Sequence, residues 1–367
     1  VKIRYLDEFR DPRLAAGILS RIREISSPPV RVMEVCGTHT MAISRGGIRS
    51  LLEGTVELIS GPGCPVCVTP DGYIDAAIQI GRTGDPIVTT FGDMIKVPGR
   101  KSSLEKEKAA GLDLRIVYSP LDALAIAEET PDREVVFLGV GFETTAPSVA
   151  GSLLTARERE VNNFSILSSL KTVPEAMEAL MVDEEVSIGA FLCPAHVSTI
   201  IGADAYLPLA QKYRVPCVVA GFEYLDILLG IYMILTQGKG KEGKVENEYR
   251  RVANDRGNPK ALQVIYSVFE KCDISWRGIG VIPDSGLRIR ESLSSFDALK
   301  KFNITIDEEE RKTACCCGDV LKGKIVPTEC PLFRTACTPH TPVGPCMVSS
   351  EGTCAAYYKY GGYTIHG

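Results

Sequence analysis

Seven short apolar runs fix the fold class of this chain. They are "VRVMEV" (30–35), "VELIS" (56–60), "PIVTTF" (86–91), "LRIVYS" (114–119), "EVVFLGV" (134–140), "SIGAFL" (187–192) and "VPCVVA" (215–220), and each leads into a turn and a helix-like stretch. Strands that are apolar on both faces need cover on both faces. Alternation with helices supplies it, so the runs predict parallel sheets of the α/β class. Two strings, "GVGFETT" (139–145) and "VAGFEYL" (219–225), each follow a strand candidate and hint at repeated construction.

A chain of 367 residues is too long for one core. Three parts are expected: an α/β unit over 12–122, a second over 123–240, and a C-terminal part over 241–367, against which residues 1–11 are a candidate to pack. Strand and helix signals weaken after 240, as is common where metal bonds replace an apolar core. The stretch "QGKGKEGKVENEYRR" (237–251) mixes both signs of charge and reads as a solvated connection. A net charge of −5 without a long basic tract argues against nucleic acid. With no apolar run of about 18 residues and no export-type leader pattern, the expectation is a cytoplasmic chain with no membrane span. The free chain is expected to be a monomer.

In a reducing compartment, 13 cysteines point to metal binding or catalysis rather than to stable disulfides. They are unevenly spread: Cys36, Cys64 and Cys67 lie early, Cys193, Cys217 and Cys272 are scattered, and seven fall within 315–354. The scattered three read as buried small apolar residues. Cys36 and Cys64 each follow a strand candidate, which predicts both at the carboxyl edge of one sheet, where sites form. Thr69-Pro70-Asp71 reads as a cap, a first-turn proline and an acidic first turn. That places Cys67 just outside a helix N-terminus, where the dipole favours a thiolate.

"GPGCPVC" thus offers a reversible disulfide, a metal clip or two inert thiols, and the Gly/Pro-rich lead-in favours redox or metal chemistry. In "CGTHT", His39 is a candidate to hold Cys36 as a thiolate or to assist at a bound iron. Thr38 and Thr40 read equally as caps of the next helix. Glu143, with Thr145 and Pro147 near a helix start, and His196 in "CPAHVSTIIG" are two further loop candidates. The Cys193-x-x-His196 spacing alone is a weak metal signal.

The C-terminal block carries Cys315, Cys316, Cys317, Cys330, Cys337, Cys346 and Cys354, spaced C-x12-C-x6-C-x8-C-x7-C from Cys317 onward. Structural zinc favours tight knuckles, which are missing after Cys317, whereas wide spacing in Pro-rich loop suits an iron–sulfur cubane. Zinc and disulfide staples are the competing readings. His340 reads as loop.

Assembled, the strings "EVCGTHT", "GPGCPVC", "FGDM", "GVGFETTAP", "HVSTIIG" and "CTPHTPVGPCMVSSEGTCAAYY" resemble the HypD hydrogenase maturation family over residues 34 to 358. The resemblance implies two similar parallel-sheet α/β domains plus a small Cys-rich [4Fe-4S] domain similar to the catalytic part of ferredoxin:thioredoxin reductase. It implies HypC and HypE as partners, with cyanide received from HypE, in assembling the Fe(CN)2CO unit of [NiFe]-hydrogenase. Carried over, Cys36 binds the transient Fe(II) together with a HypC cysteine, and Cys64 and Cys67 form the thiol–disulfide pair. Four of Cys317, Cys330, Cys337, Cys346 and Cys354 are expected to hold the cluster. Thr38, His39, Glu143 and His196 complete the candidate site. The alternatives are a stand-alone thiol–disulfide oxidoreductase of thioredoxin-reductase type and a zinc-stabilised adaptor.

Overall fold

The structure, a computed structural model, describes residues 7–25, 29–238, 243–307, 309 and 313–361. Among these, the chain forms strands β1 (Val30–Glu34), β2 (Val56–Ser60), β3 (Ile87–Thr90), β4 (Leu114–Ile116), β5 (Val135–Gly141), β6 (Phe164–Lys171), β7 (Ala190–Pro194), β8 (Cys217–Ala220), β9 (Val245–Asn247), β10 (Phe269–Trp276) and β11 (Gly280–Ile289). The seven apolar runs supply β1 to β5, β7 and β8.

The strands build two sheets. One has the order β2-β1-β7-β8-β9 and is parallel throughout; the other has the order β10-β11-β6-β5-β3-β4. In the second, β4, β3, β5 and β6 are parallel, and the hairpin β10–β11 adds to β6 antiparallel. Numbered by appearance, the first sheet runs 2-1-3-4-5 and the parallel part of the second 2-1-3-4, so the same four-strand construction occurs twice. The echoing strings do not mark equivalent places, because β5 is third in its sheet and β8 fourth in its own.

Each strand divides its side chains between two cores, as a period of two requires. Val32, Leu58 and Val218 face an outer core under the helices Pro12–Glu24 and Tyr224–Gln237. Their neighbours Met33, Ile59 and Val219 join Val136 and Leu138 of the other sheet in one shared central core. Val135 and Phe137 face a third core under the helices Pro120–Glu129 and Ala146–Glu158.

The expected division at 122 and 240 runs across both sheets. Residues 12–122 supply β1 and β2 to one sheet and β3 and β4 to the other, and 123–240 likewise supplies strands to both. A run that is apolar on both faces fits either sheet, so the pattern carries no sheet assignment. After 240, β10 and β11 are long strands where the sequence signal was weak. β10 ("FEKCDISW") is buried only in alternation along most of its length, as a half-covered edge hairpin is. Of the 1–11 segment, residues 1–6 lie outside the described residues. Phe9 packs on the outer core, and Arg10 pairs with Glu223 at 2.7 Å. Residues 239–242 of the charged connection also lie outside the described residues.

Candidate functional site

In parallel sheets a crevice opens at the carboxyl ends of neighbouring strands whose connections leave in opposite directions. That point falls between β1 and β7 in the first sheet and between β3 and β5 in the second. Cys36 and His196 follow the first pair of strands; Asp93 and Glu143 follow the second.

Cys36 is the N-cap of the helix Gly37–Arg45. The Gly37 N–H donates to Gly63 O at 3.0 Å, which ties this turn to the loop after β2. Thr38 Oγ1 donates to Glu351 Oε1 at 2.7 Å, and Thr40 Oγ1 to Cys36 O at 3.2 Å, so neither threonine caps the helix. Burial pushes the Cys36 thiol up to about 11; the Glu351 carboxylate adds to this, against an opposing hydrogen bond from the His39 N–H. Cys36 is therefore a protonated thiol at neutral pH, not the thiolate anticipated.

Nor is His39 an imidazolium. It is fully buried, and its Nε2 donates to Ala220 O (3.0 Å) and Gly221 O (2.9 Å) at the end of β8. Burial pulls its pKa down to about 4, outweighing both carbonyls. The His39 and His196 rings both pack on Phe222, with centroids 4.8 and 4.2 Å away.

The Cys67 N–H donates to Cys64 Sγ at 3.3 Å within the turn that carries both thiols. Cys67 is fully buried; its thiol donates to Pro345 O at 4.0 Å and lies beside that of Cys346 in the C-terminal block. Burial raises Cys67 well above the ordinary thiol range. The helix Asp71–Gly81 begins after Pro70 as N-cap, while Thr69 Oγ1 donates to Pro65 O at 2.8 Å instead of capping. Its dipole therefore does not leave Cys67 ionised.

All seven cysteines of the C-terminal block line one cavity, together with Phe333 and Met347. Cys317 Sγ lies 2.8 Å from Cys346 Sγ, and Cys346 in turn lies beside Cys67, whose N–H meets Cys64 Sγ. All thirteen cysteines are free thiols. Among the described residues, no group of three or more Cys, His, Asp or Glu side chains is arranged to hold a single metal ion. The cavity instead presents many soft donors between apolar walls, a donor set suited to an iron–sulfur cluster. His340 is exposed in its loop.

A family model described as "HypD: Hydrogenase formation hypA family" matches residues 13–361. The chain belongs to the HypD family. It is 45% identical over 366 residues to the hydrogenase maturation factor HypD of Escherichia coli, covering 98% of each chain. It is 43% identical over 374 residues to HypD2 of Bradyrhizobium diazoefficiens, covering 99% of this chain and 98% of the relative. It is 44% identical over 372 residues to HypD of Rhodobacter capsulatus, covering 98% and 99%. As a HypD-family chain, it has its role in hydrogenase maturation. No helix among the described residues is long and apolar enough to cross a membrane.

Three HypD residues at the site escaped the sequence reading. Glu351 reaches Cys36 and Thr38 from the far end of the chain, and a Cβ on Gly37 would meet its Cβ at 2.5 Å. Phe222 carries both imidazoles. Asp93, in "FGDM", accepts from Ser349 Oγ at 3.0 Å and so ties β3 to the cysteine block.

Other candidates lie apart. Cys193, buried in β7, lies beside Cys217 in the core and forms no metal pair with His196. Cys272 is half-buried. Glu143 is buried beyond β5, where its Oε1 accepts from the Val173 N–H at 2.9 Å. Burial pushes its carboxyl up to about 8. Thr145 precedes the helix Ala146–Glu158 without a side-chain cap bond.

Proposed function

We propose that this HypD chain is the thiol scaffold on which the Fe(CN)2CO unit of [NiFe]-hydrogenase is assembled, working with HypC and HypE. One observation carries the reading. The loop 61–67 touches the Cys36 turn through Gly63 and the C-terminal thiol block through Cys67 and Cys346. A mononuclear site and a redox reservoir are thereby joined by a single turn.

In this reading Cys36, together with a HypC cysteine, captures the Fe(II) substrate, which then receives cyanide from HypE. A thiolate is a soft ligand suited to that ion. Because burial keeps Cys36 protonated, capture releases its proton. The carboxylate beside it, Glu351, is placed to accept that proton. Cys64 and Cys67 form the redox pair: closing their disulfide gives up two electrons and two protons, and reopening it takes both back. Neutral His39, buried, and His196, exposed at the rim, both pack on Phe222 and shape the wall of the crevice.

Cys317, Cys330, Cys337 and Cys354 are assigned to hold a [4Fe-4S] cluster, leaving Cys346 as the thiol that meets Cys67. When bound, such a cluster supplies one-electron redox chemistry. A stand-alone thiol–disulfide oxidoreductase is less well supported, because it needs an accessible, low-pKa thiol. Cys64 and Cys67 are both buried, and Cys67 is shifted the opposite way.

The test is iron and visible absorption of the anaerobically purified chain, with and without HypC. The expected result is a brown protein with about four irons per chain, plus one more in the HypC complex that Cys36→Ala loses while keeping the colour. A colourless, zinc-loaded chain, or loss of colour in Cys36→Ala, overturns the reading.

A further inference from the structure

A cavity of about 290 Å3 opens at the carboxyl ends of β5 and β6. Its lining includes Glu143, Thr172, Glu175, Leu262, Tyr266 and Lys271, and it shares no residue with the cysteine cavity. The volume suits a small molecule.

Three lining residues carry buried side-chain oxygens with no protein hydrogen-bond partner: Glu143 Oε2, Thr172 Oγ1 and Glu175 Oε2. Buried acceptors are normally satisfied, so three in the lining of one cavity call for a donor-rich occupant. Glu143 is only 4% exposed and is fixed through its other oxygen by Val173 N–H. Charge points the same way. Two carboxyl groups face one ammonium, Lys271, which is already paired with Glu175 Oε1. An anion would find no uncommitted cation among these residues, whereas Glu143, which burial keeps protonated at neutral pH, is a carboxyl that a bound cation would ionise. Leu262 provides apolar wall, and half-exposed Tyr266 stands at the mouth.

We propose that this cavity binds a small organic cation with a guanidinium-type head on an aliphatic stem. The planar head presents N–H donors along several edges, matching acceptors that come from the separate segments after β5 and β6. The positive charge pairs with the Glu143 carboxylate, whose proton passes to solvent as the cation binds, and the stem lies along Leu262. The site stands apart from the thiols, so its failure leaves their assignment untouched.

The test is calorimetric titration of the full chain with n-butylguanidinium, using the neutral isostere n-butylurea as control. The expected result is saturable binding of the cation, at least tenfold tighter than the urea. Glu143→Gln, which keeps shape and cannot ionise, weakens it at least tenfold. Leu262→Trp, which fills the cavity and leaves Glu143 in place, abolishes it; circular dichroism confirms that each variant is folded. No saturable binding, equal binding of the urea, or unchanged binding in folded Glu143→Gln or Leu262→Trp overturns the proposal.

Discussion

The backbone of Gly63 lies directly on that of Cys36: a Cβ built on Gly63 would stand 2.2 Å from the Cys36 nitrogen. The obstacle is main chain, which has no rotamer to yield. Gly63→Ala must therefore lift the loop that carries Cys64 and Cys67 off the Cys36 turn. Overpacking of this kind costs about 1–3 kcal/mol, read as a lower midpoint in denaturant melts. Iron capture with HypC should fall in the same variant while cluster absorption is kept. An unchanged melt would show that the two turns are not locked together.

Cys346 stands between two sulfurs, those of Cys67 and Cys317. If it is the connecting thiol and not a cluster ligand, Cys346→Ser keeps the visible absorption and the iron content. It should also change how fast the Cys64/Cys67 pair is reduced by the dithionite-treated chain, measured by alkylation and mass analysis. Loss of colour in this variant would make Cys346 a ligand and refute the assignment.

The sequence exposed the strands better than it exposed their partners. "VRVMEV" and "VELIS" are apolar on both faces and became neighbouring parallel strands with their cysteines at one edge. Strand β6 ("FSILSSLK") went unread because its serines look like solvent positions, although Ser165 and Ser169 are buried in the middle of the sheet. The exchange of chain between the two sheets left no trace, since a doubly apolar strand is satisfied in either. The thiols at strand ends were legible from order along the chain alone. Glu351 was not, because only the packed C-terminal segment brings it beside Thr38, 313 positions away. The ionisation of Cys36, Cys67 and His39 was read from neighbours in sequence, and burial, which sequence does not display, reversed it.

Phe222 holds the rings of His39 and His196 together, with each contact worth about 0.5–1.5 kcal/mol beyond area. Phe222→Ala should lower stability by at least the sum of the two. It should also move the His196 titration, followed by NMR, upward toward the ordinary imidazole range, since burial is what depresses it. A His196 pKa unmoved by the loss of Phe222 would show that the ring is not what desolvates this exposed imidazole.

Glu143 offers a test in which the sign is fixed by linkage. Burial raises its pKa from 4.5 to about 8; Glu175 pushes the same way and Lys271 against it. Between those values the folded chain keeps a proton that the unfolded chain has released. The favourable contribution of this group is therefore complete below pH 4.5 and is lost as pH rises through about 8. Glu143→Gln removes the titration while keeping an amide oxygen for the Val173 N–H. Melting wild type and variant in parallel at about pH 5 and about pH 9 should show the variant gaining relative stability at the higher pH. The difference should level off above the folded pKa, where both wild-type states are ionised. A gap between the two melts that is independent of pH would mean that Glu143 ionises as readily in the folded chain as in the unfolded one.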